Sequence, residues 1–251
     1  MNPASQNTAS QDVHRIAMWS GPRNISTAMM RSWENRADAC VCDEPFYAYY
    51  LARTGADHPM AAEIMAAYST NWREVVEMLT GPPPEPVAFF YQKLMTHHIL
   101  DEVELDWLSA LSHCFLIREP AHMITSLIEV IPDAGLADTG MPQQERLFER
   151  VLKDTGKAPA VIDTRDVLEN PRAVLGRLCE YLDVPFDENM LAWPAGKRAS
   201  DGVWAPHWYA SVERSTGFAP WRDKPDAVPP HLTDTLTECN RIYERLRAHK
   251  I

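Results

Sequence analysis

Five short apolar runs, each followed by a turn and a helix-like stretch, fix what this chain can become. They are His14–Met18, Ala39–Cys42, Val87–Tyr91, His113–Ile117 and Ala160–Asp163. Each is too short for a core helix, and near-continuous apolar character is the mark of strands buried on both faces. Helical patterns lie between them: Ser26–Arg36, most of Phe46–Leu79, Asp101–Leu111 (packing through Val103, Leu105, Leu108 and Leu111), Ala121–Val130 and Gln143–Asp154. Two more follow: Arg172–Leu182, opened by Glu169-Asn170-Pro171 with proline in its first turn, and Pro230–His249. This alternation predicts a three-layer α/β/α fold around a mostly parallel five-stranded sheet. No internal repeat is present, and 251 residues can bury one core, so 1–251 reads as a single domain. The polar residues 1–13 read as disordered.

The first strand runs into Gly21-Pro22-Arg23-Asn24-Ile25-Ser26-Thr27 and then a helix. Strand, tight loop and helix start make an anion site, because first-turn N–H groups are free and the helix dipole favours negative charge there. Arg23 adds a guanidinium inside the loop. The same letters also suit an ordinary βα turn with Ser and Thr as caps. No G-x-x-x-x-G-K-[ST] loop occurs.

Similar features end the other strands. Glu44 follows the second, in the position of a crevice-facing carboxylate or of a solvated one beside Asp43 as a helix cap. Lys93, His97 and His98 follow the third; neutral imidazole can accept a proton, and lysine can stabilise negative charge. Arg118 ends the fourth, with Ser126 about two helical turns on, so both can address one anion. Tyr47, Tyr49, Tyr50, Tyr68 and Trp72 line an acceptor pocket or belong to the core. The stretch from Pro132 to Pro142 reads as a mobile loop able to form a lid, and Ala195–Trp208 as a basic, tryptophan-bearing loop.

Acidic residues outnumber basic ones 35 to 24, for a net charge of −11. That argues against nucleic-acid binding through a broad basic face, and an anionic ligand must be captured locally. Five cysteines without a C-x-x-C pair read as buried thiols in a reducing compartment. No metal-ligand cluster, signal segment or long apolar span is evident, so a soluble cytoplasmic protein acting without a metal or membrane is expected. A homodimer is left open.

Together these residues resemble the sulfotransferase family, over about residues 16–208. Pro22-Arg23-Asn24-Ile25-Ser26-Thr27 is similar to its loop for the 5′-phosphosulfate of 3′-phosphoadenosine 5′-phosphosulfate (PAPS), with Ile25 where Gly is usual. Arg118-Glu119-Pro120 with Ser126 resembles its 3′-phosphate motif. Val167–Phe186 resembles its late structural helix. Lys197-Arg198-Ala199-Ser200-Asp201-Gly202-Val203-Trp204 resembles its C-terminal cofactor loop, with Ala199 and Val203 departing from the pattern. Lys93 through His98 lies where the family often carries Lys-x-His, at stretched spacing.

The resemblance implies a P-loop-like sulfotransferase fold and transfer of a sulfuryl group from PAPS to a hydroxyl or amine of a small molecule. In that reading Gly21 to Thr27 hold the sulfate end, while Arg118, Ser126, Lys197, Arg198 and Gly202 hold the other phosphate. His98, His97 or Glu44 is the base, with Lys93 beside it. Two rivals are a P-loop kinase or NTPase, for which Asp43 or Asp163 would hold a metal, and a protein that binds a nucleotide without turnover.

Overall fold

The computed structural model describes residues 13–223 and 227–251; the disorder expected at 1–13 falls, Val13 apart, outside them. Five parallel strands, β1 (His14–Ser20), β2 (Ala39–Asp43), β3 (Phe89–Met95), β4 (Ser112–Ile117) and β5 (Ala160–Asp163), form one sheet in the order β2-β3-β1-β4-β5. The chain leaves central β1 for the β2–β3 side and later crosses to β4. The crevice beyond the carboxyl end of β1 is therefore a topological switch point, the usual ligand site of an open α/β sheet.

Among the described residues ten α-helices flank or follow the strands. In order they are α1 (Ser26–Glu34), α2 (Tyr47–Thr54), α3 (Ala61–Ala67), α4 (Trp72–Thr80), α5 (Pro120–Ile128), α6 (Met141–Thr155), α7 (Thr164–Glu169), α8 (Pro171–Tyr181), α9 (Ala205–Trp208) and α10 (Thr233–Arg247). Side chains alternate across the sheet, as strand geometry requires. Ala17, Trp19, Phe115 and Ile117 face a core with α4, α5, α6 and α10. Ile16, Met18, Cys114 and Leu116 face a second core with α1 and α8. The three expected layers are present. A smaller cluster joins α2, Trp204 and Tyr209.

Several boundaries differ from expectation. Asp101–Leu111 is not a helix: its bonds Val103→Leu100, Leu108→Leu105 and Leu111→Leu108 are all of the tighter i→i+3 kind, with one short 3₁₀ turn at Asp106–Ala110. Apolar residues at 105, 108 and 111 suit that three-residue period as well as an α-helix. Phe46–Leu79 divides into three helices, interrupted where Gly55 turns left-handed (φ 66°) and where Asn71 caps α4. β3 continues to Met95, past the expected Tyr91. Its polar residues are tolerated because Gln92 Nε2 donates to the Leu79 carbonyl (2.7 Å) and Lys93 finds buried partners. The 132–142 segment is no detached lid. Thr139 and Met141 are buried, and Thr96 Oγ1 donates to the Gly140 carbonyl at 2.8 Å. All five cysteines are free, and no described helix is long and apolar enough to cross a membrane.

Candidate active site

A cavity of about 390 Å³ opens at the carboxyl ends of the strands, within the range of small-molecule sites. One end is built on the β1–α1 loop. A Cβ on Gly21 would lie 2.6 Å from the Thr139 carbonyl oxygen, so the two loops approach through glycine. Asn24 ties the loop down: Nδ2 donates to the Leu116 carbonyl (3.2 Å), and Oδ1 accepts from Ile25 N–H and from the Thr164 hydroxyl. Arg23 takes the left-handed conformation (φ 55°), whereas Ile25, in the place where the resemblance prefers Gly, has an ordinary φ of −90°. Ile25 packs against the α1-side core. No glycine freedom is needed at that position. α1 starts without a side-chain cap on its first-turn N–H groups, and Ser26 and Thr27 of that turn line the cavity.

Two guanidiniums meet here. Arg23 Nε donates to Ser126 Oγ at 3.0 Å, and Arg118 Nη1 donates to the Arg23 carbonyl. Arg118 Nε has no hydrogen-bond partner. Burial lowers the Arg118 pKa and the Arg23 charge lowers it further, against the charge of Glu129. Two cations held this close suit an anion with more than one charge.

The other end is carboxylate, lysine and aromatic. Pairing of β2 with β3 sets Asp43 beside Lys93. Lys93 Nζ donates to Asp43 Oδ1 (2.9 Å), Glu44 Oε1 (2.7 Å) and the Tyr209 hydroxyl (2.6 Å). These use all three ammonium hydrogens. Tyr209 in turn donates to Asp43 and accepts from Trp204 Nε1 (3.1 Å). Burial opposes the Lys93 charge, but the Asp43 and Glu44 carboxylates outweigh it and hold its pKa well above the lysine range. Glu44, in a left-handed turn (φ 41°), lines the cavity; burial raises its pKa, Lys93 pulls it back and Asp43 adds to the rise.

His97 and His98 follow β3 in a 3₁₀ turn and also line the cavity. Burial pushes His97 down to about 3, and burial with the neighbouring His97 holds His98 well below the usual histidine range. Both are neutral and weakly basic. Tyr47 stacks on His98 (4.7 Å), while Tyr50 meets His97 edge-on (5.4 Å) and lies tilted against His98 (4.9 Å). Tyr49 sits in the core instead, with its hydroxyl on Glu102, and Trp72 packs there too.

Of the residues singled out in the sequence, the cavity gathers Pro22 to Thr27, Glu44, Lys93, His97, His98, Arg118 and Ser126. It does not gather Gly21, Lys197, Arg198 or Gly202. Arg198 Nη2 donates to the Pro194 carbonyl (2.7 Å) and its Nε lies 3.8 Å from Glu34, while Lys197 is exposed. The Gly202 N–H donates to Asp43 Oδ2, so this loop buttresses the lysine network from behind. The cavity wall is instead completed by Tyr209, Ser211, Ser215, Gly217, Phe218 and Ala219, which the sequence reading passed over. The Ser215-Thr216-Gly217 run, small residues before an aromatic, was their one signal.

The sulfotransferase-domain family model matches residues 14–249. Two Arabidopsis thaliana proteins named branched-chain-amino-acid aminotransferase-like protein 1 and 2 are 34% and 32% identical to this chain over 93% of its length. The chain spans about two fifths of those relatives, 42% and 41%. Among solved structures it is similar in fold to the sulfotransferase domain of the Synechococcus PCC 7002 olefin synthase, at 16% identity and a TM-score of 0.53, covering 96% of this chain and 97% of that one. The fold and site define an α/β protein with an arginine-bearing cavity at the switch point of its parallel sheet. More particularly, the chain belongs to the sulfotransferase-domain family.

Proposed function

We propose that this cavity transfers a sulfuryl group from PAPS to a hydroxyl or amine of a small-molecule acceptor. The supporting observation is that Arg23, Arg118 and the uncapped start of α1 share one cavity with the Lys93–Glu44 pair. The unpartnered Arg118 Nε and the crowded guanidiniums fit a donor carrying several negative charges. PAPS supplies an activated sulfuryl group on a phosphate.

The chain positions and neutralises. The α1 N–H groups, Arg23, Ser26 and Thr27 hold the sulfate end and stabilise charge on the leaving oxygen, and Arg118 with Ser126 holds the second phosphate. Glu44 takes the proton of the acceptor. Its raised pKa suits a base, whereas His97 at about 3 binds a proton too weakly. Lys93 keeps the Glu44 carboxylate aimed into the cavity. Against the NTPase reading, Asp43 is saturated by Lys93, Tyr209 and Gly202, and Asp163 by Arg165 N–H and Tyr243.

Calorimetry with 3′-phosphoadenosine 5′-phosphate (PAP) and with ATP–Mg, followed by labelled-sulfate transfer from PAPS across an acceptor panel, tests the reading. PAP binding with transfer is expected. Binding of ATP–Mg alone would overturn the donor assignment, and PAP binding without any transfer would leave a nucleotide binder.

A further inference from the structure

The two ends of the cavity carry opposite charge. Arg23 and Arg118 occupy the loop end. At the far end Lys93 is enclosed by the Asp43 and Glu44 carboxylates, and Asp138 also lines the wall. Asp138 Oδ2 accepts from Gly135 N–H at 2.8 Å. No ion pair to Asp138 occurs among the described residues. Its charge is felt by Tyr50 and by His58, and His58 Nδ1 lies 2.9 Å from the Tyr47 hydroxyl. Asp138 therefore belongs with the aromatic group. That end holds three carboxylates against one ammonium. If Glu44 takes up a proton, Asp43 and Lys93 cancel and Asp138 still leaves it negative.

The remaining wall is uncharged, with the rings of Tyr47, Tyr50 and Trp208, the imidazoles of His58, His97 and His98, and aliphatic residues such as Met95, Val130 and Ile131. Burial lowers all three imidazoles below the usual histidine value, so they add no positive charge at neutral pH. An anionic acceptor would meet carboxylates without a free cation. A neutral acceptor would use the rings and leave Asp138 uncompensated. A cation uses both, through ring quadrupoles and the carboxylate.

We propose that the acceptor is a cationic alcohol, an ammonium a few bonds from a hydroxyl, with the ammonium in the Tyr47–Tyr50–Asp138 end and the hydroxyl at Glu44. This inference rests on the sulfuryl-transfer reading. In the step it describes, the acceptor oxygen forms the new O–S bond and its proton passes to Glu44. The S–O bond to the donor phosphate breaks, and its electron pair leaves on the phosphate oxygen beside Arg23. The ammonium is not the nucleophile, since it has no free electron pair. Its charge favours the ionised, proton-accepting form of Glu44.

Choline and its uncharged isostere 3,3-dimethylbutan-1-ol are the probes, titrated calorimetrically into the protein with and without saturating PAP. Choline is expected to bind about tenfold more tightly, a cation–π and carboxylate contribution of ordinary size. D138N, whose amide oxygen can still accept from Gly135 N–H, should bring the ratio close to one. Equal or tighter binding of the isostere, or of 4-nitrophenol, would overturn the inference, as would no choline binding with PAP in place. Failure of PAP itself to bind, with the choline preference intact, would instead sink the donor reading.

Discussion

Lys93 Nζ lies 2.9 Å from Asp43 Oδ1, and neither side chain is more than 2% exposed. The pair is placed by strand register, since Asp43 and Lys93 are paired residues of β2 and β3. Asp43 also gathers the Tyr209 hydroxyl and the Gly202 N–H, so one carboxylate ties two strands to the 202–209 segment.

Breaking this pair should therefore be felt first in stability. D43N removes one charge, leaves Glu44 to balance the Lys93 ammonium, and should cost roughly 3 kcal/mol of folding free energy. Urea melts measure it. Because Asp43 does not line the cavity, PAP affinity should stay within about twofold while turnover falls, since a twofold change is under 0.5 kcal/mol. A loss confined to PAP affinity would contradict this placement.

Arg118 and Arg198 separate the structure from the sequence resemblance. R118A removes a charged contact and should weaken PAP binding by roughly 1–3 kcal/mol. R198A removes a side chain engaged with Pro194 and Glu34 and should leave PAP binding nearly unchanged. Calorimetry on both variants decides, and equal losses would restore the 197–202 loop to the cofactor site.

The pH profile identifies the base. A group that must be deprotonated loses activity as pH falls through its pKa, and Glu44 is raised above the carboxylate value of 4.5. kcat/KM should show an acid limb above that value. E44Q should abolish both the limb and most of the rate. His97, at about 3, contributes no limb in this window. A limb that survives E44Q and vanishes in H98N would reverse the assignment.

The sheet, its parallel strands and the β1–α1 loop were legible because each rests on local pattern: short apolar runs, a turn, a helix start. That Glu44, Lys93 and Arg118 would line one cavity was legible because strand ends point at the crevice, and Ser126 joins them from the helix that follows β4. Arg198 lies outside the cavity because a basic pair followed by glycine matches the motif letters without fixing the contacts; here Gly202 donates to Asp43. Tyr209 and Ser215–Ala219 were missed because their place depends on a long return of the chain, pinned by tertiary contacts such as the bridge of Gly217 to Ala192 and the hydrogen bond of Trp193 Nε1 to Ser215. The register that buries Lys93 against Asp43 is likewise a tertiary fact.

Acid should destabilise the fold through its histidines. His113 accepts from Trp19 Nε1 at 3.0 Å on Nδ1 and so donates from Nε2 to the Leu108 carbonyl, a neutral tautomer. Burial lowers its pKa from 6.5 to about 4. A depressed histidine contributes stability that is complete above 6.5 and is lost as pH falls towards the folded value. Charging His113 should cost roughly 3 kcal/mol, at about 1.36 kcal/mol per pKa unit. Chemical denaturation between pH 7 and 4 should show falling stability with net proton uptake on unfolding, and a flat profile would refute it.

Gly140 couples the loop before α6 to the 3₁₀ turn of Thr96–His98. It is left-handed (φ 67°), and a Cβ there would stand 2.6 Å from Thr96 Oγ1 and 3.2 Å from His97 N. G140A therefore adds backbone strain to a steric clash and should cost roughly 2–4 kcal/mol. The clash is with a hydroxyl that itself donates to the Gly140 carbonyl, so removing it trades a hydrogen bond for space. In a double-mutant cycle, G140A should destabilise T96A less than it destabilises the native chain, with a coupling of about 1 kcal/mol or more. Thermal or urea melts of the four proteins give that number. Full additivity would show that the strain lies in the backbone of Gly140 alone, and that Thr96 does not set the distance between this loop and His97.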